Sequence, residues 1–141
     1  MQTASVTDFL ERAKKFVEER GSEKREKPDG AMEDVYCAYA EYIKEVVPEK
    51  IVLVCRDTID VKRDSGWFSL SVVVKMSDDS LRMKTIFEAS SYIELKELTF
   101  ENDELALRVR WCEFGYDGRE EYRESRIRKS IDELTRKNDL L

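Results

Sequence analysis

The chain has 141 residues with 25 Lys and Arg against 31 Asp and Glu, a formal net charge of −6, and no histidine. Without histidine, the commonest metal ligand and the side chain that titrates nearest neutrality, the usual triads and His-bearing metal sites are excluded. Neither GxGxxG nor GxxxxGK[ST] occurs, and no stretch is strongly basic, so phosphate loops and nucleic-acid backbone binding are not expected.

The first element reads as an amphipathic helix. Val6, Phe9, Leu10, Ala13, Phe16 and Val17 fall on one stripe, and Gly21 ends it. Residues 21–30 are polar, nearly alternate in charge and contain Pro28, which predicts a mobile connector inside a single domain of residues 1–141. A second helix is expected over about Ala31–Val47. Met32, Val35, Tyr36, Tyr39, Ala40, Ile43, Val46 and Val47 recur at helical spacing, and Pro48 stops it. Tyr36, Tyr39 and Tyr42 read as part of that packed face rather than as a stacking surface for bases.

The period then drops to two. Ile51, Leu53, Cys55, Asp57, Ile59 and Val61 form one side of a strand, and Asp64-Ser65-Gly66 a turn. Phe68, Leu70, Val72, Val74 and Met76 share one side of the next strand, and Leu81, Met83, Thr85, Phe87 and Ala89 mark a third. Residues 89–98 fit neither period and read as a strand with a bulge near Lys96-Glu97. Glu101-Asn102-Asp103-Glu104 reads as a hairpin turn before Leu105, Leu107, Val109 and Trp111. Gly115-Tyr116-Asp117-Gly118 closes that strand, and Arg119–Lys137 reads as a charged final helix carrying Tyr122, Ile127, Ile131 and Leu134.

The fold class that follows is α+β in the order ααβββββα. A curved antiparallel meander of about five strands packs with two N-terminal helices and one C-terminal helix. The order resembles helix-grip folds and cone-shaped folds of the nuclear transport factor type; the likeness lies in element order and carries no motif, so no functional residue follows from it.

The sheet is apolar on both sides. Val52, Val54, Trp67, Val73, Ile86 and Phe114 point away from the first core side, so something must cover that second face. A layer of the same chain, a second copy or a different protein would each do so, and these six are the candidate interface residues.

Asp57 is the candidate ligand anchor. Alternation aims its carboxylate inward, where it would anchor an amine or take up a proton, unless a bulge at Arg56-Asp57-Thr58 turns it to water. Arg108 and Arg110 are candidates for gripping a phosphate or carboxylate, with a charge-paired sheet surface as the plainer reading. Glu113 is the one further inward carboxylate that could join Asp57 in an acid-only hydrolase. Cys37, Cys55 and Cys112 form no CxxC and are expected to be reduced core thiols. No metal or cofactor is expected.

These features predict a non-catalytic protein–protein interaction module that associates with itself or another protein through an apolar sheet face. The alternatives are a small-ligand binder anchored by Asp57, an acidic viral or mobile-element inhibitor of a nucleic-acid-binding protein, and the carboxylate-only hydrolase. Met1–Leu10 lacks a basic start followed by a long apolar run, and no run approaches the length of a membrane span, so a cytoplasmic, soluble protein is expected.

Overall fold

Residues 51–55 and 70–74 are buried on both faces of their strands, so they need a covering layer on each side, and the chain supplies both. The computed structural model describes residues 4–63, 65–114 and 117–136. It begins with helix α1 (Ala4–Glu19) and continues through strands β1 (Ser22–Glu26), β2 (Met32–Val47), β3 (Ile51–Asp60), β4 (Ser65–Lys75), β5 (Leu81–Ala89), β6 (Glu94–Glu101), β7 (Glu104–Phe114) and β8 (Glu120–Ser130). A short helix, α2 (Ile131–Thr135), follows. Strands β1 to β5 form one open antiparallel meander in chain order, and β6 to β8 form a second.

Alternation along β3 and β4 builds two cores. Ile51, Leu53, Cys55, Leu70, Val72 and Val74 meet Leu105, Leu107, Val109 and Ile127 of the second sheet in one buried core. Val52, Val54 and Val73, on the opposite side, meet Phe9, Ala13 and Val17 of α1. The layers are therefore helix, five-stranded sheet and three-stranded sheet, with α2 tucking Leu134 into the edge of the sheet–sheet core. Each fully buried Val, Leu or Ile contributes about 1.5–3 kcal/mol, so the inner strands β3 and β4 carry much of the stability.

The second expected helix is a strand. Its apolar spacing looks helical because β2 contains two bulges. Glu41 is skipped between Ala40↔Arg56 and Tyr42↔Cys55, and Val46 between Glu45↔Val52 and Val47↔Ile51. Each extra residue reverses the alternation of faces, so Ala40 stands on the helix side while Tyr42, two residues on, joins the sheet–sheet core. The β-branched and aromatic content of the segment suits a pleated surface. Within the polar stretch 21–30, Ser22–Glu26 pairs with β2 as an edge strand.

The final long helix is likewise absent. Glu120–Ser130 is the outer strand β8, and helix is confined to Ile131–Thr135; Lys137 lies outside the described residues. Ile127 is the one buried apolar residue of β8, because an outer strand in a narrow sheet is wet along most of its length and shows no apolar period to read. This departs from the helix-grip outline, which needs a long closing helix.

Other expectations match. The β6 strand skips Lys96 between Leu95↔Val109 and Glu97↔Arg108, the expected bulge. The β6–β7 hairpin turns at Asn102 and Asp103, both with positive φ (52° and 59°), a conformation that Asn and Asp tolerate better than most residues. Asp64 of one expected turn, and Gly115 and Tyr116 of another, lie outside the described residues.

Candidate functional site

Helix α1 is shorter than the sheet it covers. Gly21 lets the chain leave the helix hard against β2: a Cβ there would lie 3.0 Å from Glu18 O and 3.1 Å from Ala38 O. The Ala38 N–H donates to Gly21 O at this crossing. Beyond it, the helix-side face of the sheet is open and forms a cleft of about 250 Å³.

Strand register dictates what lines the cleft. One cross-strand row runs Ala40–Arg56–Ser69–Glu88 and the next Ala38–Thr58–Trp67. Tyr36 packs edge-to-face on Trp67 with ring centroids 5.7 Å apart, making an apolar wall. Arg20 closes the helix end. Its guanidinium sits 3.5 Å from the Phe16 ring centroid and donates to Phe16 O at 3.2 Å. Ala38 and Ser69 are small, which leaves room between the larger groups.

Arg56 is the unusual member. Its Nε is buried and has no hydrogen-bond partner. Burial also weakens its hold on its proton, though a guanidinium stays charged at neutral pH. Among the described residues no carboxylate lies within ion-pair distance of it, in a chain with 31 acidic side chains. An orphaned buried donor costs about 1–3 kcal/mol, a cost that a bound anion would offset. Arginine's planar fork suits carboxylate or phosphate oxygens two at a time.

The residues singled out from the sequence lie elsewhere and apart. Asp57 keeps its place on the Cys55 side of β3, half-buried, with its Oδ1 beside Gly66. No bulge occurs at Arg56-Asp57-Thr58, because the β3–β4 ladder is continuous and the irregularity sits on β2 at Glu41. Arg108 lies on the outer face of the second sheet, 3.1 Å from Glu97 and 2.6 Å from Glu124. Arg110 stacks on Tyr122, 4.0 Å from its ring centroid. Glu113 is engaged through both oxygens, accepting from Trp111 Nε1 at 2.9 Å and pairing with Arg123 at 2.7 Å. The four do not form one site.

The candidate interface residues separate too. Val52, Val54 and Val73 are fully buried beneath α1. Ile86 is the residue skipped where β5 pairs Phe87 with Leu70 and Thr85 with Ser71, and it packs against the sheet–sheet core. Trp67 lines the cleft, and Phe114 stands 74% exposed at the end of β7.

Sequence reasoning passed over Arg56. The signal was available: Arg56 continues the even positions Val52 and Val54, so it stands on the same face one row beyond the apolar pair. The cysteines are unpaired, Cys55 buried and Cys37 and Cys112 half-buried. Among the described residues no cluster of three potential ligands could hold a metal ion, and no helix is long and apolar enough to cross a membrane. No family model, curated protein or solved structure matches this chain.

Proposed function

We propose that this protein is a non-enzymatic binding module that captures a small anion, a carboxylate or a phosphate, in the cleft beyond α1, with Arg56 as its anchor. One observation carries the reading: a guanidinium lining a cleft, its Nε buried and unpartnered, that makes no ion pair among the described residues. Thr58 and Ser69 supply hydroxyls beside it, and Tyr36 and Trp67 an apolar wall. The earlier expectation of a ligand site between sheet and helix is kept, with the anchor moved from Asp57 to Arg56. Thermal unfolding in the presence of acetate, butyrate, inorganic phosphate and sulfate tests it. Ligand at a hundred times its Kd stabilises by about 2.7 kcal/mol. At least one of these anions raises the wild-type Tm and leaves Arg56→Gln unmoved, while Arg108→Gln responds as wild type does. Equal responses of wild type and Arg56→Gln would overturn the reading.

Self-association is a second reading, moved from the covered valines to a different surface. The sheet–sheet core includes no β3 residue after Cys55. Past that point Ile59 is 37% exposed and Val61 46%, with Tyr39 nearby at 59%. We propose a second copy of the chain as the occupant, since an isologous contact buries the same patch twice. Light scattering should give a dimer that Ile59→Lys converts to monomer. A wild-type monomer at high concentration removes this reading and leaves the first untouched.

A further inference from the structure

We infer that the ligand of this cleft is a small zwitterion, with its anionic group on Arg56 and its ammonium at Glu88, in the size range of one or two amino-acid residues. The inference rests on the anion-binding reading above and adds the second charge. Arg56 and Glu88 belong to one cross-strand row with Ser69 between them. Neighbouring strands lie about 4.8 Å apart, so the two backbones stand roughly 10 Å from each other. Their side chains make no ion pair with each other or, among the described residues, with any other group.

Arg56 and Glu88, held apart by a buried serine, present a dipole to whatever enters, with Arg20 at the helix end as a second cation already engaged with Phe16. A simple monoanion would satisfy Arg56 and meet the field of Glu88 at the same time. A ligand carrying both charges matches both ends. The separation limits its length: a chain spans at most about 3.3–3.6 Å per residue, so three residues already match the roughly 10 Å between the backbones, and a ligand seated between the two side chains is shorter. The cleft, at about 250 Å³, is smaller than the roughly 300–1,000 Å³ of sites that hold larger ligands. Tyr36 and Trp67 flank the row and give the carbon skeleton an apolar wall, and an aromatic face also favours an ammonium group.

Calorimetric titration with matched pairs tests this: butyrate against γ-aminobutyrate, and N-acetylglycylglycine against glycylglycine. In each pair the carboxylate is constant and one member carries an ammonium; the acetyl group of the second pair adds bulk, so butyrate against γ-aminobutyrate is the deciding comparison. The expected result is at least tenfold tighter binding of the zwitterion by wild type. Glu88→Gln, at an exposed position and therefore expected to fold normally, brings the two members of each pair to within about twofold. Arg56→Gln abolishes binding of all four. Equal affinity within each wild-type pair, or a preference that persists in Glu88→Gln, overturns the zwitterion inference while leaving the anion reading in place. If wild type binds none of the four, the zwitterion inference falls, and the anion reading falls with it unless phosphate or sulfate raises the wild-type Tm.

Discussion

Arg56 and Glu88 share a row of the five-stranded sheet, two strands apart, and do not meet. A protein selected only for stability would let such a pair close or replace the buried cation with an apolar side chain. The neighbouring rows of the same face do the latter, with Val54 and then Val52 and Val73 under α1. The open row begins where the helix ends, so the end of α1 sets the boundary between core and cleft.

Replacing Arg56 with Met should therefore stabilise the unliganded protein. The change removes an unsatisfied buried donor and keeps the aliphatic stem, for a gain of about 1 kcal/mol. At this chain length that is roughly 3 °C in Tm. Arg108→Met serves as the contrast. Arg108 is paired with Glu97 and Glu124 on an outer face, and its loss should cost no more than about 1 kcal/mol. Thermal unfolding of both variants without added anions checks the pair; a destabilised Arg56→Met would mean that the guanidinium is satisfied in solution.

What the sequence revealed depended on how many neighbours each strand has. The inner strands β3 and β4 are buried on both sides, so their period of two was unmistakable, and the demand for two covering layers followed from it. The identity of those layers did not follow. Half of the answer was α1, whose stripe was plain. The other half was a second sheet, hidden because β8 carries one buried apolar residue, Ile127. In β2 the bulges at Glu41 and Val46 scrambled the alternation into a helical pattern. The cleft was illegible for a related reason: whether position 56 is core or solvent depends on where α1 stops across the sheet, a tertiary fact that no local pattern carries.

Phe9 tests the covering role of α1. It is 2% exposed and packs over Val52, Val54 and Val73. Phe9→Ala should cost about 3–5 kcal/mol, the range for truncating a buried aromatic. The loss should appear as a lower denaturant midpoint. A dye that reports exposed apolar surface should bind the variant under conditions where wild type binds none. A cost below about 1 kcal/mol would mean that the valines are covered without the helix.

The short helix α2 depends on its first turn. Ser130 Oγ accepts from the Glu133 N–H at 3.1 Å, and the Glu133 carboxylate accepts from the Ser130 N–H at 3.1 Å, a complete capping box. Ser130→Ala should cost about 1 kcal/mol. The Ser130 N–H, and with it the nearby cations Lys129 and Arg136, hold the Glu133 carboxyl below its ordinary value of 4.5. The folded value is the lower one, so this contribution is present above pH 4.5 and is lost as pH falls through the folded value. Glu133→Gln should flatten the acid limb of stability below pH 4.5 relative to wild type, as read by denaturant unfolding at a series of pH values.

Cys55 governs part of the opposite limb. Burial in the sheet–sheet core pushes its thiol from 9.0 up to about 11. The folded value is the higher one, so the thiol's contribution is intact below pH 9, where both states are protonated. It declines as pH rises from 9 to about 11, because the unfolded chain ionises first. Cys55→Ala should lower stability at pH 7 and remove the part of the alkaline decline that starts near pH 9. In the native protein, Cys37 and Cys112 should react with a thiol reagent before Cys55, which should react only on unfolding.

Tyr42 lies beside Cys55 in that core, and burial raises its phenol above the ordinary value of 10.0. Its hydroxyl is buried without a hydrogen bond of good geometry, and a thiol is a weak partner at best. The ring itself is well placed, edge-to-face against Tyr92 at 6.4 Å. Tyr42→Phe keeps that contact and deletes the orphan oxygen, so it should stabilise the protein by about 1 kcal/mol at pH 7. It should also remove the alkaline loss of stability that begins near pH 10, the component that Cys55→Ala leaves behind. Denaturant unfolding at pH 7 and pH 10.5 reads both effects. A destabilised Tyr42→Phe would show that the hydroxyl and the Cys55 thiol are bonded after all, and that the polar pair is part of what holds the two sheets in register.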